Sequence, residues 1–493
     1  MFVFGDGFDL YATTADPGMG FWDSSGTGAF NLTTGRFTGS QAIGSLSTGG
    51  NNCLTKASGS NDAVHHIFLA YWNSAALTGS NLNYNLQLQD GVTTQCSIVF
   101  RSDGAILLTS GGPAGSVLAT YTGAVNATST WFAFEFEVVI NNTSGSFTVR
   151  KNGNTSNDFT LGSLNTRTTA NSYANKLFVH QQTGSGANFQ KIDDILWRSD
   201  AASVAWVGDI RCYTRMPASD VSTQFARAPN PATNTTAVAS SRSDGTTTSG
   251  YSPFTPLVSG TVGSILVNVN TAFTGNLKCS IFADTGSNQV GTVLGSATVV
   301  VNPAAGNNTC TFSTPVPVVK GTQYWFGVSH DVTAIMSVGS GVTGRSTTAV
   351  TYAAFPTATP GGTSAVAPIA GTVNITPTIS ADFVSEAQQD GTTSYVYDST
   401  VGHADLYGIA PLSGTPASTV AVTTRGFLQK SDAGTRNAAV QLKSGGTTVQ
   451  STSTALSTSF TWLWRTDTND PNTGSAWSAV AVNNCAIGPI VTG

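Results

Sequence analysis

The chain has 493 residues, of which only 10% are Asp, Glu, Lys or Arg, against roughly 25% in an ordinary soluble domain. Its 21 basic and 26 acidic residues leave a net charge of −5, with no Lys/Arg-dense stretch to neutralise a row of phosphates, so nucleic acid is not an expected partner. The longest apolar runs, such as Ile67-to-Trp72, fall far short of the ~20 residues that span a bilayer, so no membrane segment is expected.

The opening MFVFGDGFDLYATTAD places Asp6 and Asp9 inside what would be the apolar core of a secretory signal, so Sec export is not expected. Beyond it, period-two alternation recurs. Phe132, Phe134, Phe136 and Val138 face one way, and Ala133, Glu135, Glu137 and Val139 the other. Strands also read in SIVFRSDGAILLTS, GSFTVRKNG, SILVNVN, LKCSIFAD, TVAVTTRGFLQKS, AAVQLKSGG and TSFTWLWRTD. Turns at Asp90-Gly91, Asp103-Gly104 and Asn152-Gly153 punctuate the series. Nothing keeps helical periodicity for three turns, and no fixed-period repeat is present. The fold class is all-β, with three antiparallel β-sandwich or jelly-roll domains in series. Composition shifts after Asp220 and across Phe355-to-Ser380 set the boundaries at 1–225, 226–380 and 381–493.

Six cysteines lie at 53, 96, 212, 279, 310 and 485, with no C-x-x-C pair and no His at zinc-ligand spacing. Cys279 and Cys310 both fall on strand-like stretches, and a bridge between them would restrict the unfolded chain by ~3–4 kcal/mol. The alternative is six buried thiols acting as small apolar residues.

Three resemblances carry the chain further. GFDLYAT, Trp22, GRFTGSQAI, WFAFEFEV, SFTVRKNG and KIDDILWRSD together resemble a concanavalin/laminin-G-like jelly roll, a fold shared by sugar binders, adhesion modules and glycoside hydrolases. GNLKCSIFADTG followed by TFSTPVPVVKGTQYWFGVSHD resembles a β-sandwich module of extracellular and phage proteins; of its Tyr324 and Trp325, at least one must face the core. DGTTSYVYDS, KSDAGTRNAAVQLKSGGT and TDTNDPNTGSAWSAVAVNNCAIG resemble the carboxy-terminal part of tailed-phage virion proteins. Asp470, Pro471, Thr473, Gly474, Trp477, Val482, Asn483, Ile487 and Gly488 match its closing stretch. The familiar arrangement joins the first and third units directly, so 226–380 look inserted, and the segment after Asp220, with Thr223 and Phe225, is expected to supply a strand across the insertion.

Chemistry is sparse. Glu135 and Glu137 share a face, yet Ala133 and Val139 stand where a hydrolase's row of acids would continue, and Glu386 is the only other glutamate. They read as solvent-facing strand charges that discourage edge pairing, and no catalytic residue is expected. His65 and His66 are adjacent and point to opposite faces, while His180 and His330 read as core or rim residues. The jelly-roll resemblance implies a rim calcium, to which Asp193 and Asp194, or Asp6 and Asp9, would contribute. Turn aspartates are the plainer reading, so no cofactor or metal site is assigned. Trp22, Trp72, Trp197 and Trp206 are either a sugar-stacking platform or core.

The resemblance to virion proteins implies a non-enzymatic structural protein on the surface of a phage particle, as capsid decoration or a collar or tail appendage. It would be assembled in the host cytoplasm against other virion proteins and its own copies, with a trimer as the first form to consider. The low charge fits dense packing without like-charge repulsion. The competing reading is a carbohydrate-binding adhesin or receptor-binding tail protein that contacts host surface glycans. A polysaccharide depolymerase is the weakest reading, for want of an acid pair.

Overall fold

The computed structural model describes the chain except residues 1, 10, 12–21, 26–30, 45–51, 75–76, 182–189, 228–231, 236, 247, 348–349, 357–363, 379, 386–394 and 413. Glu386 and the start of the segment opening at Asp390 therefore lie outside the described residues. The regular structure of the described chain is almost entirely antiparallel strand, with one 3-10 turn, Ser380–Phe383, and one five-residue α-helix, Ala479–Asn483. It forms two compact units. One joins Met1–Met216 to Ser399–Gly493; the other comprises Pro217–Glu386 with Asp390–Asp398. The middle of the chain is thus an insertion, and the carboxy-terminal strands share a unit with the jelly roll.

The first unit is a sandwich of two large sheets. One runs Phe159–Leu164, Gly145–Lys151, Thr130–Val139, Val64–Asn73, Gln190–Asp200, Gln41–Gly44, Asn31–Thr34, with Phe2–Asp6 also paired to Gln190–Asp200. The other has seven strands, Val117–Tyr121, Ile106–Ser110, Thr93–Arg101, Leu82–Asp90, Ala174–Gln181, Asn52–Asp62, Ser24–Ser25. Alternation decides what lies between them. Phe132, Phe134, Phe136 and Val138 from one sheet meet Tyr84, Leu86, Leu88, Ile98 and Phe100 from the other in a single buried cluster. Burying one such side chain contributes about 1.5–3 kcal/mol, which makes this cluster the main source of stability in the unit. The Asn152-Gly153 turn is as read, with φ of 53° and 74° and the Asn154 N–H returning to the Lys151 carbonyl, within a longer loop after which pairing begins at Val149 with Phe159.

The carboxy-terminal strands add a small sheet, ordered Leu406–Ile409, Ala486–Val491, Asn437–Ser444, Thr447–Gln450, and a hairpin of Val422–Leu428 with Thr461–Asp467. The residues of the closing motif build its corner. Asp470 accepts from the Asn472 N–H and the Thr473 hydroxyl, Gly474 turns at φ 71°, and the Trp477 indole donates to the Asp467 carbonyl. Asn483 accepts from the Leu412 N–H, while a Cβ at Gly488 would lie 2.0 Å from the Asp405 carbonyl oxygen. The motif is therefore a fold-making turn. The hairpin docks on the jelly roll through Trp462, which packs against the large core, and through Arg425, which donates to the Gly5 carbonyl and lies 3.7 Å from Asp6.

In the inserted unit, one sheet centres on Gly260–Thr271 and the other on Tyr324–His330. Tyr324 and Trp325 are both buried, the first in the core between the sheets and the second in a separate cluster with Tyr251, Phe282 and Phe355. The long strand Gly306–Val318 pairs with Gly260–Thr271 alone among the described strands, and it carries Pro315 and Pro317. Prolines blunt such an edge because they offer no N–H to an incoming strand. Just past Phe225, Ala226–Arg227 pairs with Val396–Tyr397, a pairing that lies within the inserted unit.

Candidate functional site

Three places in the jelly roll gather polar side chains. The first is the outer face of the sheet containing Thr130–Val139, where Glu135 and Glu137 project as period two demands. They are not solvent-facing edge charges. Their strand is paired on both sides, and Glu135 is 3% exposed beneath the segment 201–212, which crosses the face as a strap. Glu135 accepts the Val207 and Gly208 N–H groups at 2.8 and 3.0 Å and pairs with Arg198 at 3.5 Å. Glu137 accepts from Ser203 and from His66 Nε2, and that contact with His66 holds its carboxyl below the usual range. Trp206 closes the strap, edge-on to His66 and under the Arg150 guanidinium. Glu135 anchors the strap by its backbone, and Glu137 holds it through the Ser203 side chain.

The second place collects the aspartates. Asp6 is buried and spends its oxygens on the Phe8 N–H, the Tyr11 hydroxyl and the Trp22 indole, with Arg425 beside it. Asp193 accepts the Arg36 N–H, and Asp9 accepts the Gln41 N–H. Gly35 makes this approach feasible, since a Cβ there would lie 2.6 Å from Asp193 Oδ2. Asp194 sits at a register break in its strand with φ 52°; its Oδ1 accepts the Cys212 N–H, and its Oδ2 is buried without a partner. Burial pushes Asp193 up to about 6; burial and the neighbouring Asp193 push Asp194 up to about 8. Calcium takes six to eight oxygens. Among the described residues no three His, Cys, Asp or Glu are arranged to hold a metal ion.

The third place is the outer face of the seven-stranded sheet. On Leu82–Asp90, Tyr84, Leu86 and Leu88 enter the core, which turns Asn85, Gln87 and Gln89 outward. Two rows cross the sheet in register: Leu107, Val99, Asn85, His180, Cys53, then Thr109, Ser97, Gln87, Phe178, Thr55. Neither row contains a carboxylate, Lys or Arg. Burial lowers the His180 imidazole below its ordinary value, which keeps it neutral at pH 7.

The remaining residues singled out by sequence fall in separate places. His65 is wholly buried, accepts the Trp197 indole N–H, and is driven down to about 4 by burial. His330 is buried against the Val332 carbonyl. Trp22 and Trp197 are core residues, whereas Trp206 lies in the strap and Trp72 under Lys191, so the four form no common platform. Cys279 and Cys310 are free thiols in the core of the inserted unit, where the neighbouring Cys310 adds to the upward push of burial on Cys279.

No family model matches the chain. No curated protein matches it either. Among solved structures, the chain is similar to the catalytic domain of a glycoside hydrolase family 131 protein from Coprinopsis cinerea, at 13% identity and TM-score 0.28 over 41% of this chain and 96% of that one. It is also similar to the CBM2 module of the evolved Dit protein of Lactobacillus casei BL23 phage J-1, at 9% identity and TM-score 0.26 over 34% and 80%. A third similarity is to the exoplasmic/lumenal domain of VIP36 in a Ca2+/Man3GlcNAc-bound form, at 7% identity and TM-score 0.26 over 36% and 84%.

Proposed function

We propose that this chain is a non-enzymatic surface protein of a tailed-phage particle, capsid decoration or collar or tail appendage, that works by contact. The observation supporting this reading is the union of two distant segments. The jelly roll and the strands bearing the virion-type closing motif, although separated by the insertion, form one compact unit through Trp462 and Arg425. That is the direct pairing the familiar phage arrangement uses. Quantitative mass spectrometry of purified particles tests the reading: hundreds of copies place it on the capsid or tail tube, about a dozen on a collar or appendage. Absence from purified particles overturns it. Light scattering then gives the oligomeric state, with a trimer the first form to check. Assembly in a reducing cytoplasm keeps Cys279 and Cys310 as thiols, and an intact mass unchanged by reductant is the expected result.

A second reading, a carbohydrate-binding adhesin or receptor-binding tail protein, is favoured by the two charge-free rows on the outer face of the seven-stranded sheet. A glycan array on the isolated protein separates the two, since specific binding favours the adhesin. The depolymerase reading loses the pair it would need, because Glu135 and Glu137 are committed to the strap.

A further inference from the structure

The outer face of the seven-stranded sheet holds a directed chain of hydrogen bonds. Gln89 Nε2 donates to Gln87 Oε1 at 3.4 Å, and Gln87 Nε2 donates to Asn85 Oδ1 at 2.9 Å. Asn85 Nδ2 then meets His180 Nδ1 at 3.2 Å. Because Asn85 Oδ1 is already the acceptor for Gln87, its amide nitrogen faces the imidazole. His180 Nδ1 therefore accepts, and in a neutral ring the proton sits on Nε2. Thr94 Oγ1 donates to Gln87 Oε1 at 2.8 Å and fixes the middle of the chain. Every link points the same way, an arrangement in which each bond polarises the next.

Asn85, Gln87 and Gln89 are themselves buried, so a ligand would meet the chain at its two ends and over the half-buried Phe178 and His180. His180 Nε2–H is a donor that bonds no described residue, and Gln89 Oε1 is an acceptor that bonds none. Positions 85, 87 and 89 rise along one strand at roughly 3.4 Å per residue, so the chain covers about 14 Å of the face. Phe178 sits in the middle row, stacked on His180 with 5.6 Å between ring centroids. Lys176, opposite Gln89, lies at the far end.

A partner for this face must give and accept hydrogen bonds within a short span, lie flat on an aromatic ring and bring no charge. Sugar hydroxyls each donate and accept, and the C–H face of a pyranose packs on an aromatic ring. Along the two rows an anionic ligand would leave its charge facing amides and a neutral imidazole, with a counter-charge from Lys176 only beyond them at the Gln89 end.

We propose that this face binds an uncharged oligosaccharide, with Phe178 as the stacking surface and the Gln89–Gln87–Asn85–His180 chain as a polarised hydrogen-bonding rail. The proposal deepens the adhesin reading and rests on it, but it is independent of where the protein sits on a particle.

The test uses the full chain on an array of neutral, sialylated and sulfated glycans, followed by calorimetry on the best neutral binder. Phe178→Ala and His180→Leu should each weaken binding by about tenfold. Thermal melts establish that the variants fold, and Phe178→Leu, which keeps apolar bulk but loses the ring face, should reproduce the loss. Preference for acidic glycans overturns the proposal, as does full affinity in both ring variants. So does self-association that Phe178→Ala abolishes in a protein that binds no glycan, which would make the face a protein interface. Copy number on purified particles is read separately, so failure of the glycan-binding face leaves the virion reading standing, and the reverse.

Discussion

The two outer faces of the jelly roll start from the same rule and end differently. On each, period-two alternation sends polar side chains outward opposite a shared core. Glu135 and Glu137 carry charge, and the chain covers them with its own backbone, the 201–212 strap. Asn85, Gln87 and Gln89 carry none, and they satisfy one another along the strand. The difference follows from cost. A buried carboxylate demands donors or a cation, so it recruits structure; amides tolerate burial when paired in series. A charged outer face is therefore covered by recruited backbone, and a neutral one closes on itself through its own amides.

The largest expected effect comes from removing the charge that holds the strap. Glu135→Ala leaves the buried Arg198 and two N–H groups without their acceptor. It should destabilise the protein by about 3–5 kcal/mol in urea titrations, with hydrogen exchange at 203–210 rising first.

The aspartate cluster gives a pH signature on the strapped sheet. Asp193 and Asp194 titrate at about 6 and about 8 in the folded state, above the unfolded value. The folded protein thus keeps protons that the unfolded chain has already released. This stabilisation is complete below about pH 4 and is lost as pH rises through about 8. Thermal midpoints should fall across that window, and Asp194→Asn should flatten the upper part of the curve.

Trp206→Ala is expected to cost about 1–2 kcal/mol, by removing the lid on His66 and the surface beneath Arg150. The smallest effect belongs to the neutral face. Phe178→Ala should shift stability by less than about 1 kcal/mol, because Phe178 packs outside the core. A large loss there would mean that the face is structural after all, and the contrast between the faces would fail.

Much of the fold was legible because alternation is a local signal. The strand WFAFEFEV and the Asn-Gly turn could be read from spacing and turn chemistry, and the inserted middle unit from the resemblance to phage proteins. The strap was not, because nothing in SVAWVGDI announces that its N–H groups will meet Glu135, more than sixty residues earlier. Asp193 and Asp194 defeated the period-two rule for a related reason. The break between Asp193 and Leu196 shifts the register, so both carboxylates end up buried near Asp9. GRFTGSQAI was noticed as part of a resemblance, yet its function, Gly35 and Arg36 cradling Asp193, depends on a close approach that sequence does not display. The polar rail did leave a trace. The alternation N-L-Q-L-Q from Asn85 to Gln89 places amides where exposed strands usually mix charges and hydroxyls.

The contact between Arg425 and the Gly5 carbonyl, 420 positions apart, bears on how the protein is made. While the ribosome works through the 182 residues between Met216 and Ser399, the jelly roll waits without the hairpin that packs Trp462 against its core. At about 5–20 residues per second that interval lasts about 10–40 s. The inserted sandwich has nearly all of its own strands in hand by then and can complete its core first. Synthesis thus leaves the earlier-made unit to be finished last, and the nascent jelly roll is the stage at which a chaperone or an early binding partner would find apolar surface still uncovered.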